Sequence, residues 1–399
     1  MDQPAKAAEA LTFGCRLNLA ESETMRGLAA RAGYADALIV NTCAVTGEAE
    51  SQARQAIRRA AREHPGRPIL VTGCAAQIAP ERWASLPGVV RVIGNGAKLD
   101  PSAWAAPVAA IERAAPMGIA AGGGTRGFLA VQQGCDHACT FCIIPQGRGP
   151  ARALSIAEAV AAARRLAERH AEIVLTGVDL ASHPELPALI RAILREVPEL
   201  PRLRLSSLDP AALDEAFWRA FAEEARLMPH LHLSAQHGHD LILKRMKRRH
   251  SRADLLQLSA RARALRPDAA LGADLIAGFP TETEEQLCAM LELVAEAHLA
   301  FLHVFPYSAR AGTPAARMPQ IPMALRRERA ARLRAAGEQE RARFLAGRVG
   351  RIEHSLMEAD GMGHTEHFAP IRVAGAARGS LIRARVTGQD GRMLLAEAA

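Results

Sequence analysis

At 399 residues, 49% of them hydrophobic, the chain is long enough for two or three domains with sizeable cores, which excludes a disordered polymer. No apolar run approaches the ~20 residues that cross a bilayer, and the start MDQPAKAAEA lacks a charged-then-apolar leader pattern, so a soluble, cytoplasmic protein with no membrane partner is expected. The net charge of +8 favours an anionic partner such as nucleic acid, although an Arg-rich composition would produce the same surplus, and the odd count of seven cysteines argues against a disulfide framework.

Residues 1–112 alternate short apolar runs (11–14, 37–41, 69–73 and 89–93) with helical stretches such as 49–63, the pattern of a parallel, Rossmann-like α/β domain. A Gly-rich linker is expected at 113–127. From residue 128 to about 340, strand-like runs recur at 128–131, 172–176, 203–206, 231–234, 271–277 and 301–305. Helical stretches separate most of them, one opened by a capping box at Ser155 and Glu158. Six such units predict a partial (βα)6 barrel with its chemistry at the carboxyl ends of the strands. A long Arg-rich helix is expected over 323–346. Within 341–399, short alternating segments at 351–357, 368–373, 381–386 and 393–396 predict a small all-β module.

The strongest local signal is Cys135-Asp-His-Ala-Cys139-Thr-Phe-Cys142. Three thiols within eight residues can ligate three irons of a cubane cluster and leave the fourth iron open; the alternative is a zinc site with a distant fourth ligand. A second set follows from topology: Cys15, Cys43 and Cys74 each follow an apolar strand, and in a parallel sheet such ends line one edge. They are candidates for a second cluster, or else three unrelated buried thiols. Cys288, in the helical run EEQLCAMLELV, reads as packing.

The segment GCDHACTFCIIPQGRGPARA (134–153) resembles the radical-SAM motif of the methylthiotransferase family. So do NTCAVTGEAE (41–50), LTGVDLASH (175–183), RLSSLDP (204–210), HLHLSAQHGHDLILKRMKRRHS (230–251), GADLIAGFPTETEEQ (272–286) and FPYSARAGTPAARMP (305–319). The resemblance implies three parts: an N-terminal methylthiotransferase domain, a radical-SAM partial barrel and a TRAM-like RNA-binding domain. It implies two [4Fe–4S] clusters and S-adenosylmethionine (SAM) as cofactors. Cys135, Cys139 and Cys142 would hold the catalytic cluster; Cys15, Cys43 and Cys74 would hold an auxiliary cluster that delivers sulfur. Phe141, Thr176, Gly177, Asp179, Ser206 and Gln236 would bind SAM.

The phrases NTCAVT, LTGVD, LRLSSLDP and HVFPYSARAGTPA are most similar to the subfamily that acts on carbon 2 of N6-threonylcarbamoyladenosine at position 37 of tRNA. Relatives modify N6-isopentenyladenosine or an aspartate of ribosomal protein S12. A departure is Ser234-Ala235-Gln236-His237-Gly238, where relatives carry Leu before the Gln and Ser after it. The implied partners are a tRNA anticodon stem–loop, a cellular reductant and a sulfur donor, with the protein a monomer. For the RNA, Lys244, Arg245, Lys247, Arg248 and Arg249 form the densest basic run, which at helical spacing would spread its charge around a whole helix and leave part of it simply solvated. Phe13, Phe305 and Tyr307 are stacking candidates, although core packing suits each better. The Arg-rich stretch after residue 340 favours RNA over S12, and the non-catalytic alternative is an iron–sulfur RNA-binding or electron-transfer protein.

Overall fold

The computed structural model describes residues 8–14, 16–105 and 124–399. Cys15 and most of the expected linker, 113–123, lie outside the described residues. Among the described residues, no helix is long and apolar enough to cross a membrane. Strands β1 (Glu9–Thr12), β2 (Leu38–Thr42), β3 (Ile69–Gly73) and β4 (Val89–Val92) form a parallel sheet in that order. Alternate side chains serve opposite faces: Leu38, Val40, Ile69 and Val71 pack with Ala53, Ile57 and Trp83, whereas Ile39 and Leu70 pack with Met25, Leu28 and Trp104. Both faces are therefore buried, as a sheet whose strands read as continuous apolar runs requires.

The central region carries six parallel strands. β5 (Arg126–Ala130), β6 (Glu172–Thr176) and β7 (Arg202–Leu205) form one ladder. β8 (His230–Gln236), β9 (Ala270–Ala277) and β10 (Leu299–Pro306) form another. Leu208 N donates to His232 O (2.8 Å) and Ser234 N to Leu208 O (2.8 Å), joining the two ladders. The outer helices bury regular stripes, such as Ala159, Ala162, Ala163 and Leu166, against this sheet. The Ser155–Glu158 capping box opens that helix.

Strand β5 starts two residues before its apolar run because Arg126 Nε donates to Glu172 Oε1 (2.6 Å), so the last residues of the expected linker belong to the sheet. Cys288 corrects another expectation: it is exposed, because Leu287, Met290, Leu293 and Val294 supply the buried stripe of its helix.

The long helix spans Met323–Ala346. It leads into β11 (Ile352–Ala359), β12 (Met362–Thr365), β13 (Pro370–Val373), β14 (Leu381–Gln389) and β15 (Leu394–Ala398), which close a barrel in the order β11-β12-β13-β15-β14. The short strand β12, polar enough to pass unnoticed in the sequence, follows a turn with Gly361 at φ +71°.

Two buried carboxylates hold the parts together. Glu21, from the N-terminal region, accepts from Lys98 Nζ, from Arg148 Nη1 (2.9 Å) and from Gln133 Nε2 (3.0 Å); Arg148 and Gln133 belong to the segment around the 135–142 motif. Burial pushes the Glu21 carboxyl up, but Arg148 and Lys98 more than offset this and hold it at about 2. Glu172, at the amino end of β6, is ringed by Arg126 (2.6 Å), Arg202 (2.9 Å) and Arg204 (2.8 Å). Phe368 lies between Arg126 and Arg204, its ring centroid 5.1 and 5.0 Å from their guanidinium carbons, while Arg204 donates to the Thr365 and Glu366 carbonyls. That wedge seats the C-terminal barrel on the amino end of the central one.

Because the folded pKa of Glu21 lies below its ordinary 4.5, its stabilisation is present above pH 4.5 and is lost as pH falls through about 2. Glu21→Gln should lower stability by about 3 kcal/mol at pH 7 and by about 2 kcal/mol at pH 3.5, as read by denaturant titration of both proteins at each pH. Phe368→Ala should cost about 3 kcal/mol and release the C-terminal barrel to limited proteolysis before the central barrel is cut.

Candidate functional site

The 135–142 loop begins where the chain turns sharply out of β5. A Cβ at Gly134, which sits at φ +70°, would lie 1.9 Å from Pro150 O, so only glycine lets the two ends of the loop meet. Cys135 N donates to Gly149 O (3.1 Å) and Ala151 N to Asp136 Oδ1 (3.0 Å), closing the same base. On the far side, Thr140 N and Oγ1 donate to the carbonyls of Met246 (3.1 Å) and Arg245 (2.8 Å), and Ala315 N donates to Thr140 O (2.9 Å).

The three sulfurs are supplied with donors: His137 N to Cys135 Sγ (3.4 Å), Ile144 N to Cys142 Sγ (3.5 Å) and Arg248 Nη1 to Cys139 Sγ (3.5 Å). Burial raises the Cys135 thiol and pushes Cys142 up to about 12. A nearby cation or metal would favour the thiolate form of these two half-buried groups. Three soft donors on one short loop, near enough to influence one another electrostatically, fit a cluster with one open iron, and the His137 and Asp179 ligand atoms lie within 4.8 Å of Cys135 and of each other.

The strand ends above this loop are polar. Thr176 Oγ1, at the end of β6, and Ser206 Oγ, just after β7, are buried hydroxyls without hydrogen-bond partners among the described residues. Such groups are costly unless a ligand satisfies them, so this edge fits a polar cofactor. Gly177 packs against Gln132, where a Cβ would lie 2.9 Å away, and Asp179 N donates to Gln132 Oε1 (2.8 Å). The Asp179 carboxylate meets His137 Nε2 at 2.7 Å and accepts from Ser182 Oγ, tying the LTGVD segment to the cysteine loop. Gln236 leaves the β8 ladder at φ +67° after a bulge. Phe141 is half-buried against the cluster of Ile242, Met246, Phe279 and Tyr307.

The second thiol set follows the expected topology as far as it is described. Cys43 directly follows β2 and Cys74 directly follows β3, both buried. Gly14, at φ +105°, lies so close that its Cβ would come within 2.7 Å of Cys43 Sγ, so the chain just before Cys15 runs against Cys43. Val45 N donates to Cys43 Sγ (3.4 Å) and Asn95 Nδ2 to Cys74 Sγ (3.8 Å). Asn95 Nδ2 also reaches Gly147 O (2.7 Å), and a Cβ on Gly147 would lie 3.1 Å from that of Cys74. Gly147 belongs to the Ile144–Arg148 helix that begins two residues after Cys142. One short helix thus links the two cysteine groups.

The basic run is not one helix. The helix Asp240–Arg245 ends before Lys247, which takes φ +57° and turns the chain. Lys244, Lys247 and Arg249 are exposed, and Arg245 donates to Thr281 Oγ1 (2.7 Å). Arg248 points inward, its Nη2 donating to Asp209 Oδ2 (2.9 Å) and Ser234 O (3.0 Å) while its Nη1 reaches Cys139. Lys247, Arg248 and Arg249, with Asp209, His137 and Cys139, line a cavity of about 160 Å³. Of the stacking candidates, Tyr307 is core, Phe13 packs on the N-terminal sheet, and Phe305 is exposed. The departure at His237 is structural: its Nε2 faces the buried Glu282 carboxylate at 3.1 Å, which Arg329 also pairs at 2.9 Å.

His137, Arg148, Asp209 and Asn95 were missed as site residues. The first three lie inside the recognised motifs, but local spacing does not single them out, because their contacts are with partners from 30 to more than 100 residues away.

The described model of the Radical SAM superfamily matches residues 129–294, and that of the "Uncharacterized protein family UPF0004" matches residues 8–94. The superfamily implies SAM and a [4Fe–4S] cluster. Among curated proteins, the threonylcarbamoyladenosine tRNA methylthiotransferase MtaB of Rickettsia prowazekii is 43% identical over 95% of this chain and 94% of its own length. The proteins of the same name from Aquifex aeolicus and Bacillus subtilis are 30% and 32% identical, over 93% and 82% of this chain and 98% and 79% of theirs. Among solved structures, the radical S-adenosylmethionine methyltransferase TsrM of Kitasatospora setae, with tryptophan substrate and a SAM analogue bound, shares the fold. Its TM-score is 0.55 at 16% identity, covering 78% of this chain and 75% of that one. The chain belongs to the radical-SAM methylthiotransferase family, in the branch of the MtaB-type tRNA methylthiotransferases.

Proposed function

We propose that the chain adds a methylthio group to carbon 2 of N6-threonylcarbamoyladenosine at position 37 of tRNA, using two iron–sulfur clusters. The observation that supports the nucleoside is the 43% identity to a threonylcarbamoyladenosine tRNA methylthiotransferase, and the two-cluster reading is supported by Gly147, which sets the helix that begins two residues after Cys142 against Cys74. When bound, SAM and the clusters would supply the radical, the electron and the sulfur that an unreactive sp² C–H position needs.

The chain's own residues bind and orient. Cys135, Cys139 and Cys142 would hold the cluster that binds SAM, with the partnerless hydroxyls of Thr176 and Ser206 facing that cofactor. Asp179 orients His137 beside the loop, and Arg248 fixes the loop to Asp209. Cys43 and Cys74, with Cys15, would hold the sulfur-delivering cluster. The exposed Lys247 and Arg249 rim the cavity beside Cys139, with Lys244 exposed on the helix just before them, so a phosphate of a splayed anticodon loop would be attracted there. On the C-terminal barrel, Arg372, Arg383 and Arg385 point outward while Ile371, Val373, Ala384 and Val386 fill the interior, which suits a TRAM-like RNA-binding role.

The test is reconstituted enzyme with SAM, a reductant and an anticodon stem–loop carrying threonylcarbamoyladenosine, read by nucleoside mass spectrometry. The methylthiolated nucleoside is expected; methylthiolation of an isopentenyladenosine loop or of S12 instead would overturn the substrate. The combined change Cys43→Ala and Cys74→Ala should remove about half of the reconstituted iron and abolish methylthiolation, yet leave SAM cleavage to 5′-deoxyadenosine. Changing Cys135, Cys139 and Cys142 should abolish cleavage itself. Arg383→Glu with Arg385→Glu should weaken stem–loop binding and make the salt dependence shallower by about two phosphate contacts.

A further inference from the structure

We propose that the lumen of the central barrel, at His303, Asp274 and His232, reads the substituent on N6 of the target base, accepting a hydroxylated, carboxylate-bearing group and refusing a prenyl group. The proposal rests on the reading of the chain as an adenosine methylthiotransferase.

The strand periodicity separates two faces. Leu231, Leu233 and Ala235 of β8, Leu271, Ala273 and Leu275 of β9, and Leu302 and Val304 of β10 pack toward the helices. Their neighbours His232, Asp274 and His303 therefore face the lumen. There His232 Nε2 and His303 Nδ1 each lie 3.1 Å from the same oxygen, Asp274 Oδ1, and Ser207 Oγ donates to Oδ2 at 3.2 Å.

Gly272 makes this possible: its Cβ would lie 2.6 Å from His232 Nδ1. The side chains grade from open to closed, with His303 55% exposed, Asp274 20% and His232 8%. This is the profile of a cleft wall. His303 Nε2 has no hydrogen-bond partner among the described residues, so one donor or acceptor position stays available.

The floor below is cationic. Arg202, on the lumen face of β7, is 3% exposed, and its two Nη atoms have no hydrogen-bond partner among the described residues; only its Nε meets Glu172. A polar wall above this floor, where three arginines surround the single Glu172 carboxylate, suits a group bearing a carboxylate and a hydroxyl, with His303 as the contact, whereas an apolar group would leave His303 and Asp274 desolvated and unpaired. The reach also fits: His303 lies three residues below the end of β10, roughly 10 Å at ~3.3 Å per residue. That is the scale of a purine with an extended substituent.

The experiment compares wild type, His303→Leu and Asp274→Asn on anticodon stem–loops carrying the threonylcarbamoyl or the isopentenyl group. Because His303 is exposed, its substitution should leave the circular dichroism spectrum and RNA-free SAM cleavage unchanged. Its kcat/KM for the threonylcarbamoyl loop should fall about tenfold, mainly through KM, and the preference over the isopentenyl loop should narrow. If wild type acts on the threonylcarbamoyl loop and both variants keep its preference, this inference fails and the functional reading stands. If wild type acts on the isopentenyl loop, both fail. A stoichiometric divalent metal that Asp274→Asn releases would make the triad a metal centre and overturn the proposal.

Discussion

The arrangement depends on one buried carboxylate. Glu21 belongs to the N-terminal helix Arg16–Arg31, yet it is satisfied by Lys98 from its own domain and by Arg148 and Gln133 from the segment that carries the cysteine loop. Two cations and one anion withdrawn from water are tolerable only while all three remain in contact. Displacing the two domains relative to each other would leave charges stranded. Asn18 adds its amide oxygen to Arg148 (2.6 Å), and Glu50 with Arg310 (2.6 Å) ties a second point of the N-terminal domain to the segment after β10. The relation between the two thiol groups is therefore set by ion pairs at the junction, with Gly147 allowing the close approach.

Glu172 plays the matching part at the other end of the barrel. Its three arginines turn the amino ends of β5, β6 and β7 into a platform, and Phe368 is gripped between two of them. The C-terminal barrel is reinforced on that platform by His367, which bridges Glu353 (3.0 Å) and Asp268 (2.8 Å). The central barrel is thus closed below by a charged floor and open above at the strand ends, where the cysteines converge. The cysteine loop and the anchoring contacts occupy opposite ends of the same strands, which lets the rigid end hold the loop in place.

Much of this was legible in the residues. The six strands, the long helix, the cysteine loop and the strand-end positions of Cys43 and Cys74 all follow from periodicity and local spacing. The polar strand β12 was not legible, nor was the inward turn of Arg248. A basic run reads as surface when its chain is taken as one helix, and only the left-handed Lys247 breaks that helix and turns the next guanidinium toward Cys139. Cys288 was misjudged for a related reason, since an apolar run does not say which residues of a helix face the core.

By itself, then, the sequence determined the elements and the donor chemistry: alternation of period two and 3.6 dictates strands and helices, and three thiols in eight residues put three soft donors on one loop. Tertiary structure alone decided which distant groups share a carboxylate, which arginine is buried and which side chains meet in the lumen. Those outcomes depend on desolvation and on close approach at glycines such as Gly147 and Gly272. Both are properties of surfaces brought together by the fold, and no local window of sequence contains them.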